Sequence, residues 1–193
     1  AQKISIKSGA EIICITVIPS EVDWEKLSEE AKTKYPDLLQ EYEEARDVLP
    51  GHIREIAPAK APIVQQIRIG MPNEIILRVI EESDADLVVL GAHGKGYTEG
   101  NYIGSTLQKV LRKSPCPVLA VKEPLNGNDF KKVVFASDFR PSAKKAFDKI
   151  KPLIKVYRSS VYLLYVNTPE HFTSSEEVTK SMNEFTHGNE ELV

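Results

Sequence analysis

Short apolar runs that alternate with helical patterns constrain the fold of this 193-residue chain more than any other feature. The runs at residues 12–18, 87–90 and 118–121 are rich in valine, isoleucine and leucine, and each has the length of a buried strand. The run at residues 63–69 alternates apolar and polar side chains, which is typical of a strand near a sheet edge. Strands that alternate with helices predict an α/β fold, in which helices cover both faces of a parallel sheet.

Proline residues mark where the predicted helices begin and end. Pro72 and Pro141 each fit the first position of a helix, where a missing N–H costs nothing. Residues 24–48 have a helical pattern that Pro36 splits in two, and the Leu-Pro-Gly sequence at residues 49–51 is expected to end it. The predicted helices are 1–8 (ended by Gly9), 24–48, 72–82, 107–113, 141–157 and 175–185, and the strands of the second half are 132–137 and 161–166.

A weak internal repeat indicates two copies of one fold. The strand at residues 12–17, followed by Pro19, resembles the strand at residues 161–166, which lies 149 residues later and is followed by Pro169. At the same offset, the counterpart of the strand at 132–137 would precede the first residue. The predicted domains are therefore residues 1–122, a first domain lacking its first strand; residues 123–131, a polar linker; and residues 132–193, the N-terminal part of a second domain.

Composition narrows the classes of function. The net charge is −3, so binding to nucleic acid through a basic surface is not expected. No apolar run approaches the roughly 20 residues of a membrane helix, and no signal peptide opens the sequence, so we expect a cytoplasmic protein without a membrane partner. Cys14 and Cys116 lie in or beside apolar runs and are expected to be reduced thiols. The four histidines have no partners at metal-ligand spacing, so no protein-built metal site is predicted.

The segment GAHGKGYTEGNYIGST, residues 91–106, lies between a predicted strand and a predicted helix. A glycine-rich loop in this position brings backbone N–H groups to a helix N-terminus, where anions and phosphates bind. Its carboxyl-end position is also where open α/β sheets bind ligands. The glycine spacing fits neither the P-loop nor the dinucleotide fingerprint. From these residues alone, a phosphate site and a plain surface loop are both open.

The spacing Gly91-x2-Gly94-x9-Gly104-Ser105 resembles the motif of the ATP-binding branch of the universal stress protein family. The neighbouring sequences ADLVVLG at residues 85–91 and SPCPVLAV at residues 114–121 also resemble that family's strands four and five, and VVFASDFRPSAKKAF at residues 133–147 resembles strand one and helix one of a second copy. The resemblance implies a five-stranded parallel sheet of order 3-2-1-4-5 with flanking helices. It also implies a tandem protein that binds ATP, with Mg²⁺, and pairs as a homodimer or as an intramolecular pseudo-dimer.

The resemblance also assigns roles to individual residues. It implies that Val17 contacts the adenine and that Leu90 and Gly91 line the ribose and adenine side. An aspartate at the end of strand one belongs near the ribose and phosphates, and in this chain that aspartate is Asp138, in the second copy. Asp138 can equally be a capping acid for the helix at Pro141. The residues implied to hold the phosphates are Gly94, Gly104, Ser105 and Thr106.

The function that the resemblance implies is ATP binding as a regulatory signal in a stress response. Because the sequence offers only His93 and Asp138 as an acid or base near the loop, an efficient enzyme is not expected. Two alternatives remain open, namely a slow adenine-nucleotide hydrolase or transferase and a dimerisation module that binds no nucleotide.

A missing strand one would leave a gap in the middle of the sheet. Unpaired backbone groups inside a protein are costly, so either the protein has more residues at its start or another segment is expected to occupy the gap. One hypothesis is that residues 132–137, from the same chain or from a partner, occupy it and bring Asp138 beside the glycine loop.

Overall fold

The alternation of strands and helices predicted from the sequence is present in the computed structural model, which describes residues 1–56, 63–92, 104–122 and 130–187 together with Asn189. The chain divides into two units, Ala1–Glu123 and Pro124–Val193. The first unit contains α1 (Gln2–Ser8), β1 (Ile12–Pro19), a 3-10 turn (Trp24–Lys26), α2 (Glu29–Lys32), α3 (Pro36–Ile56), β2 (Ile63–Gly70), α4 (Pro72–Glu82), β3 (Val88–Gly91), α5 (Ser105–Lys113) and β4 (Val118–Val121). The second contains β5 (Lys132–Ala136), α6 (Pro141–Tyr157), β6 (Ser160–Leu164) and α7 (Ser175–Thr186).

All the strand pairs are parallel, as expected for an α/β fold, but they do not form one five-stranded sheet. Within the described residues there are three two-stranded sheets, β1–β2, β3–β4 and β5–β6. In β1–β2 the register runs from Ile12 opposite Ile63 to Pro19 opposite Gly70, and in β3–β4 it runs from Val88 opposite Val118. The first two pairs are those that the order 3-2-1-4-5 leaves when strand one is absent.

The hypothesis that residues 132–137 occupy the gap is wrong. Strand β5 pairs in parallel with β6, from Lys132 opposite Ser160 to Ala136 opposite Leu164, within the second unit. The adjacent helix explains this preference, because β5, α6 and β6 form a strand–helix–strand unit whose two strands are neighbours.

The strands of the first unit are less buried than the sequence predicts. Every residue from Ile12 to Val17 and from Leu87 to Leu90 is only half-buried, although both runs are expected to be buried strands. Helices α3 and α4 both contact β1, and α4 buries Ile76, Val79 and Ile80. The exposure therefore has another source, which is that β1 and β3 each pair along one edge only within the described sheets.

Helix boundaries agree with the sequence where proline begins a helix and disagree where it was expected to end one. Helices α4 and α6 start at Pro72 and Pro141, and α3 starts at Pro36. However, α3 continues through Pro50 to Ile56. The buried side chain of Ile53, on the helix turn that follows Pro50, accounts for this continuation, because burial there offsets the lost N–H donor.

The second unit has an aromatic core on one face of its sheet. Phe147 is fully buried, and its ring contacts those of Phe135 and Phe185 with centroids 5.0 and 5.2 Å away. On the other face, Val134 and Tyr162 stand opposite each other and are more than half exposed. Across the described residues of both units, no helix has the length and apolar character that crossing a membrane requires.

Candidate functional site

The two ends of the glycine-rich loop are held together by backbone hydrogen bonds. The Ala92 N–H donates to the Val121 carbonyl at 2.8 Å, and the Gly104 N–H donates to the Ala92 carbonyl at 3.1 Å. These bonds fix the end of β3 against both the end of β4 and the start of α5. Residues 93–103, including the predicted phosphate ligand Gly94, lie outside the described residues.

Helix α5 begins where these two ends meet, and no backbone partner for the N–H groups of Ser105 and Thr106 lies among the described residues. Gly104 is the N-cap residue, with φ −55° and ψ 142°, and its carbonyl accepts a hydrogen bond from the Gln108 N–H at 3.0 Å. Ser105 and Thr106 occupy the first two helical positions, and no described side chain caps the helix. The first N–H groups of a helix have no partner within it, so they are available to an anion.

Val17 and Leu90 contact the same apolar cluster, although 73 positions separate them in the sequence. Both are half-buried and lie against the buried side chains of Ile76, Ile80 and Val110. Val110 belongs to α5, so this cluster also supports the helix whose N-terminus faces the loop. The two residues that the resemblance assigns to the adenine and ribose side therefore pack against one cluster from two different sheets.

Gly91 is the last residue of β3, where it is exposed and pairs with Val121. Its position links Leu90, on the apolar side, with Ala92, which anchors the loop. Sequence reasoning missed Ala92 and Val121 as anchors because both act through backbone groups, which leave no side-chain signal. The one signal that could have identified these anchors is the adjacency of β3 and β4 in the expected strand order, because it places Val121 beside the end of β3.

Asp138 lies in the second unit and does not cap α6. The N-cap residue of α6 is Arg140, and the Asp138 carboxylate accepts a hydrogen bond from the Arg140 N–H at 3.2 Å. The same carboxylate pairs with the Arg140 guanidinium, whose Nε lies 3.2 Å from Oδ2. Its assignment to the nucleotide stays a prediction.

The two cysteines are free thiols, and both are half-buried. Burial raises the pKa of the Cys14 thiol, which lies in the middle of β1 opposite Gln65. A raised pKa keeps the thiol protonated and disfavours thiolate chemistry. The structure therefore gives Cys14 a packing role.

An ion-pair cluster missed by sequence reasoning holds the 3-10 turn to the sheet. Glu25 accepts hydrogen bonds from Arg68 on β2 at 2.7 Å and from Arg78 on α4 at 2.5 Å. Arg68 also contacts Glu82 at 3.1 Å. Burial raises the pKa of Glu25, but the hydrogen bonds and charges of Arg78 and Arg68 outweigh it, and the pKa is lowered overall. No local pattern predicts contacts between residues 43 and 53 positions apart.

Comparison with known proteins identifies the family. Residues 1–122 match the model of the universal stress protein family. The chain is 32% identical over 97 residues to universal stress protein MJ0577 of Methanocaldococcus jannaschii, covering 50% of this chain and 51% of that protein, so it spans about half the length of this relative. It is 30% identical over 133 residues to universal stress protein MJ0531 of the same organism, covering 64% of this chain and 72% of that protein.

A solved structure extends the similarity to both units. A universal stress protein from Archaeoglobus fulgidus is 25% identical, with a TM-score of 0.66, and the similarity covers 96% of this chain and 66% of that one. The α/β architecture described above is therefore shared with a protein of that family. Together with the family match over residues 1–122, these similarities show that the chain belongs to the universal stress protein family.

Proposed function

We propose that the chain binds ATP, with Mg²⁺, as a regulatory ligand in a stress response. The proposed site lies at the carboxyl end of β3 and the N-terminus of α5. The observation that carries the proposal is the N-terminus of α5, whose first N–H groups have no partner among the described residues and which the Gly104–Ala92 hydrogen bond holds at the end of β3. Membership of the family and the glycine spacing support it further.

The proposed roles follow from the position of each group. The N–H groups and hydroxyl groups of Ser105 and Thr106 hold the phosphates, because they lie in the first turn, where the helix dipole is positive. Gly94 and Gly104 let the backbone approach the phosphates without a Cβ in the way.

The apolar side of the site would take the base and the sugar. Val17 and Leu90 offer a half-buried apolar surface for the adenine, and Gly91 lets the ribose approach the strand end. The resemblance also implies that Asp138 lies near the ribose and phosphates, and we include it in the proposed site on that ground alone.

The regulatory role is proposed over an efficient enzymatic one because the described residues at the phosphate end of the site, Ser105 and Thr106, supply hydrogen-bond donors. N–H and hydroxyl groups bind a phosphate, but they do not supply the base that hydrolysis requires. We further propose that the second unit is a partial second copy of the domain, so that copies pair within one chain or between chains. A cytoplasmic location suits an ATP-regulated protein.

Calorimetric titration with ATP and MgCl₂ tests the proposal, with Gly104→Val as the critical variant. The φ and ψ of Gly104 are allowed for any residue, so valine adds little backbone strain and mainly blocks the approach of a phosphate. We expect ATP affinity to fall at least about tenfold, which is about 1.4 kcal/mol.

Gly51→Val is the matched control. It makes the same substitution in α3, where an added Cβ meets no atom within 4 Å, and it should leave ATP affinity unchanged. Absence of binding by the unmodified chain at millimolar ATP would contradict the proposal and favour the dimerisation module. Rapid release of phosphate in the same samples would favour the hydrolase.

A further inference from the structure

Helices α3 and α6 carry opposite charge. α6 contains five lysines and one aspartate, whereas α3 contains six acidic and two basic residues. The aspartate of α6, Asp148, pairs with Lys151, whose Nζ lies 2.5 Å from Oδ1. The small net charge of the chain, −3, thus includes one basic helix and one acidic helix that offset each other.

The exposed side of α6 has a basic surface made of Lys144, Lys145, Lys149 and Val156. Lys149 follows Lys145 by four residues and Val156 follows Lys149 by seven, so these three lie along one side of the helix. All four side chains are exposed, on the side opposite the buried ring of Phe147. The lysines therefore face solvent together and leave a valine at one end.

The exposed side of α3 has an acidic surface with the same spacing, made of Asp37, Glu41, Glu44 and Val48. Glu41 follows Asp37 by four residues, Val48 follows Glu41 by seven, and Glu44 lies one turn after Glu41. All four side chains are exposed. The ion pairs of α3 among the described residues are centred on Arg46 and include none of these four side chains.

The two surfaces match when the helices lie side by side in the same direction. Both span eleven residues from the first charged residue to the valine, which is about 16 Å at about 1.5 Å per residue. The pairs brought together are Lys145 with Asp37, Lys149 with Glu41, and Val156 with Val48. In the opposite direction, each valine would instead meet the first charged residue of the other helix.

We propose that the basic surface of α6 packs against the acidic surface of α3 in a second copy of this chain, in this parallel register. The partner is a second copy because the complementary charges and spacing are on the chain itself. Val48 and Val156, 50% and 37% exposed, are then shielded from water at one end of the contact.

The contact is weak, reversible and sensitive to salt. Exposed ion pairs contribute little each and are screened by dissolved ions, although opposite charges accelerate the encounter of two chains. Neither helix contributes a residue to the proposed nucleotide site, so this inference does not rest on ATP binding. It does not rest on a partial second copy of the domain either.

Sedimentation velocity of the full 193-residue chain measures the association. We expect the sedimentation coefficient to rise with protein concentration in about 20 mM NaCl. The rise should disappear in about 0.5 M NaCl, where the screening length falls below about 5 Å. A sedimentation coefficient that does not depend on concentration at low salt would overturn the proposal.

Charge reversal tests whether the two surfaces cause the association. The basic surface is reversed by Lys144→Glu, Lys145→Glu and Lys149→Glu, and the acidic surface by Asp37→Lys, Glu41→Lys and Glu44→Lys. Either set alone should weaken association at least about tenfold. A chain with all six substitutions has the net charge of the unmodified chain and should associate as strongly, because every pair is restored with its charges exchanged. Its failure to associate would overturn the proposal.

A matched control separates this contact from general repulsion between chains. Lys109→Glu, Lys113→Glu and Lys180→Glu change the net charge as much as reversal of the basic surface does, at exposed positions on α5 and α7. This variant should associate like the unmodified chain. A loss equal to that of the reversed basic surface would overturn the proposal.

Cysteine cross-linking tests the register. A chain with Val48→Cys is mixed with a chain with Val156→Cys and treated with a short bismaleimide, and mass spectrometry maps the linked peptides. We expect a link between positions 48 and 156 of different chains, lost at high salt. A mixture of Asp37→Cys and Val156→Cys is the control for the opposite direction. Efficient linkage there, without linkage of 48 to 156, would overturn the parallel register.

Discussion

Helices α5 and α6 both follow a strand of a parallel pair, and no described side chain caps either of them. Before α5, the chain ends its loop on Gly104 and leaves the N–H of Ser105 at the first position. Before α6, Pro141 occupies the first position and has no N–H, and the Asp138 carboxylate binds the Arg140 N–H. A helix N-terminus is therefore not by itself an anion site, because the residues in front of it decide whether donors or negative charge face the ligand.

The cores of the two units also differ, in how completely side chains fill the space beside the strands. In the first unit, strands β1 and β3 are half-buried, and a cavity is lined by residues of both. In the second unit, aromatic rings fill the space between the sheet and its helices. The first unit thus has an empty space beside its strands, whereas one face of the sheet in the second unit is filled by aromatic side chains.

The largest expected loss of folding stability comes from a substitution in the aromatic core of the second unit. Phe147→Ala removes a fully buried ring that contacts Phe135 and Phe185 and should destabilise that unit by about 3–5 kcal/mol. Val110→Ala, at an equally buried position of the first unit, should cost about 2 kcal/mol. Hydrogen exchange of β5–β6 and of β1–β2 measures each loss separately. A larger loss of stability for Val110→Ala than for Phe147→Ala would contradict the claim that the second unit has the more tightly filled core.

Asp138→Asn tests the predicted site residue that lies in the second unit. If the resemblance holds, the variant should lower ATP affinity about three- to tenfold, the value of one hydrogen bond. Thermal stability should change little, because the carboxylate is exposed. An unchanged dissociation constant would remove Asp138 from the nucleotide site and leave it with its contacts to Arg140.

Ser174→Ala tests a helix start that the chain satisfies by itself. The Ser174 hydroxyl accepts a hydrogen bond from the Glu177 N–H, and the Glu177 carboxylate accepts one from the Ser174 N–H, which forms a capping box at α7. Removing the hydroxyl should cost about 1 kcal/mol. Denaturant unfolding of the second unit measures this cost. Ser175→Ala, one residue later, is the control and should be nearly neutral.

The smallest expected effect is on the ion-pair cluster at Glu25. Because the pKa of Glu25 is lowered in the folded state, its pairs with Arg68 and Arg78 stabilise the protein above the unfolded pKa of about 4.3. That contribution is lost as the pH falls through the folded pKa. Glu25→Gln should lower stability by no more than about 1 kcal/mol at pH 7, since the cluster is partly exposed. The variant should also lose less stability than the unmodified chain as the pH falls. Identical curves of unfolding free energy against pH for the two proteins would contradict a stabilising role for the Glu25 ion pairs.

Local sequence signals predicted much of the fold. Pro72 and Pro141 mark the first residues of α4 and α6, and Gly9 ends α1 with φ 75°, as expected of a C-terminal glycine. The course of α3 was not predictable, because the burial of Ile53 beyond Pro50 is a tertiary effect. The half-burial of β1 and β3 likewise depends on which edges are paired, and no run of apolar residues reports that.

The candidate site was predicted only in part, because contacts between residues far apart in the sequence leave no local signal. The glycine spacing pointed to Gly104, Ser105 and Thr106, and the structure places all three at the N-terminus of α5. The family resemblance assigned Val17 and Leu90 to the site, and the structure adds that both pack against one apolar cluster. The backbone bonds of Ala92 and the pairing of Asp138 with Arg140 required coordinates.

The central claim is that ATP binds at the N-terminus of α5 and not at the N-terminus of α6. Backbone amide NMR of the labelled chain, recorded with and without saturating ATP and Mg²⁺, tests this directly. The account predicts large shifts or exchange protection at Ser105, Thr106 and Leu107, and none at Ser142 and Ala143. No change at the three α5 amides under saturating nucleotide, or changes of equal size at α6, would contradict it.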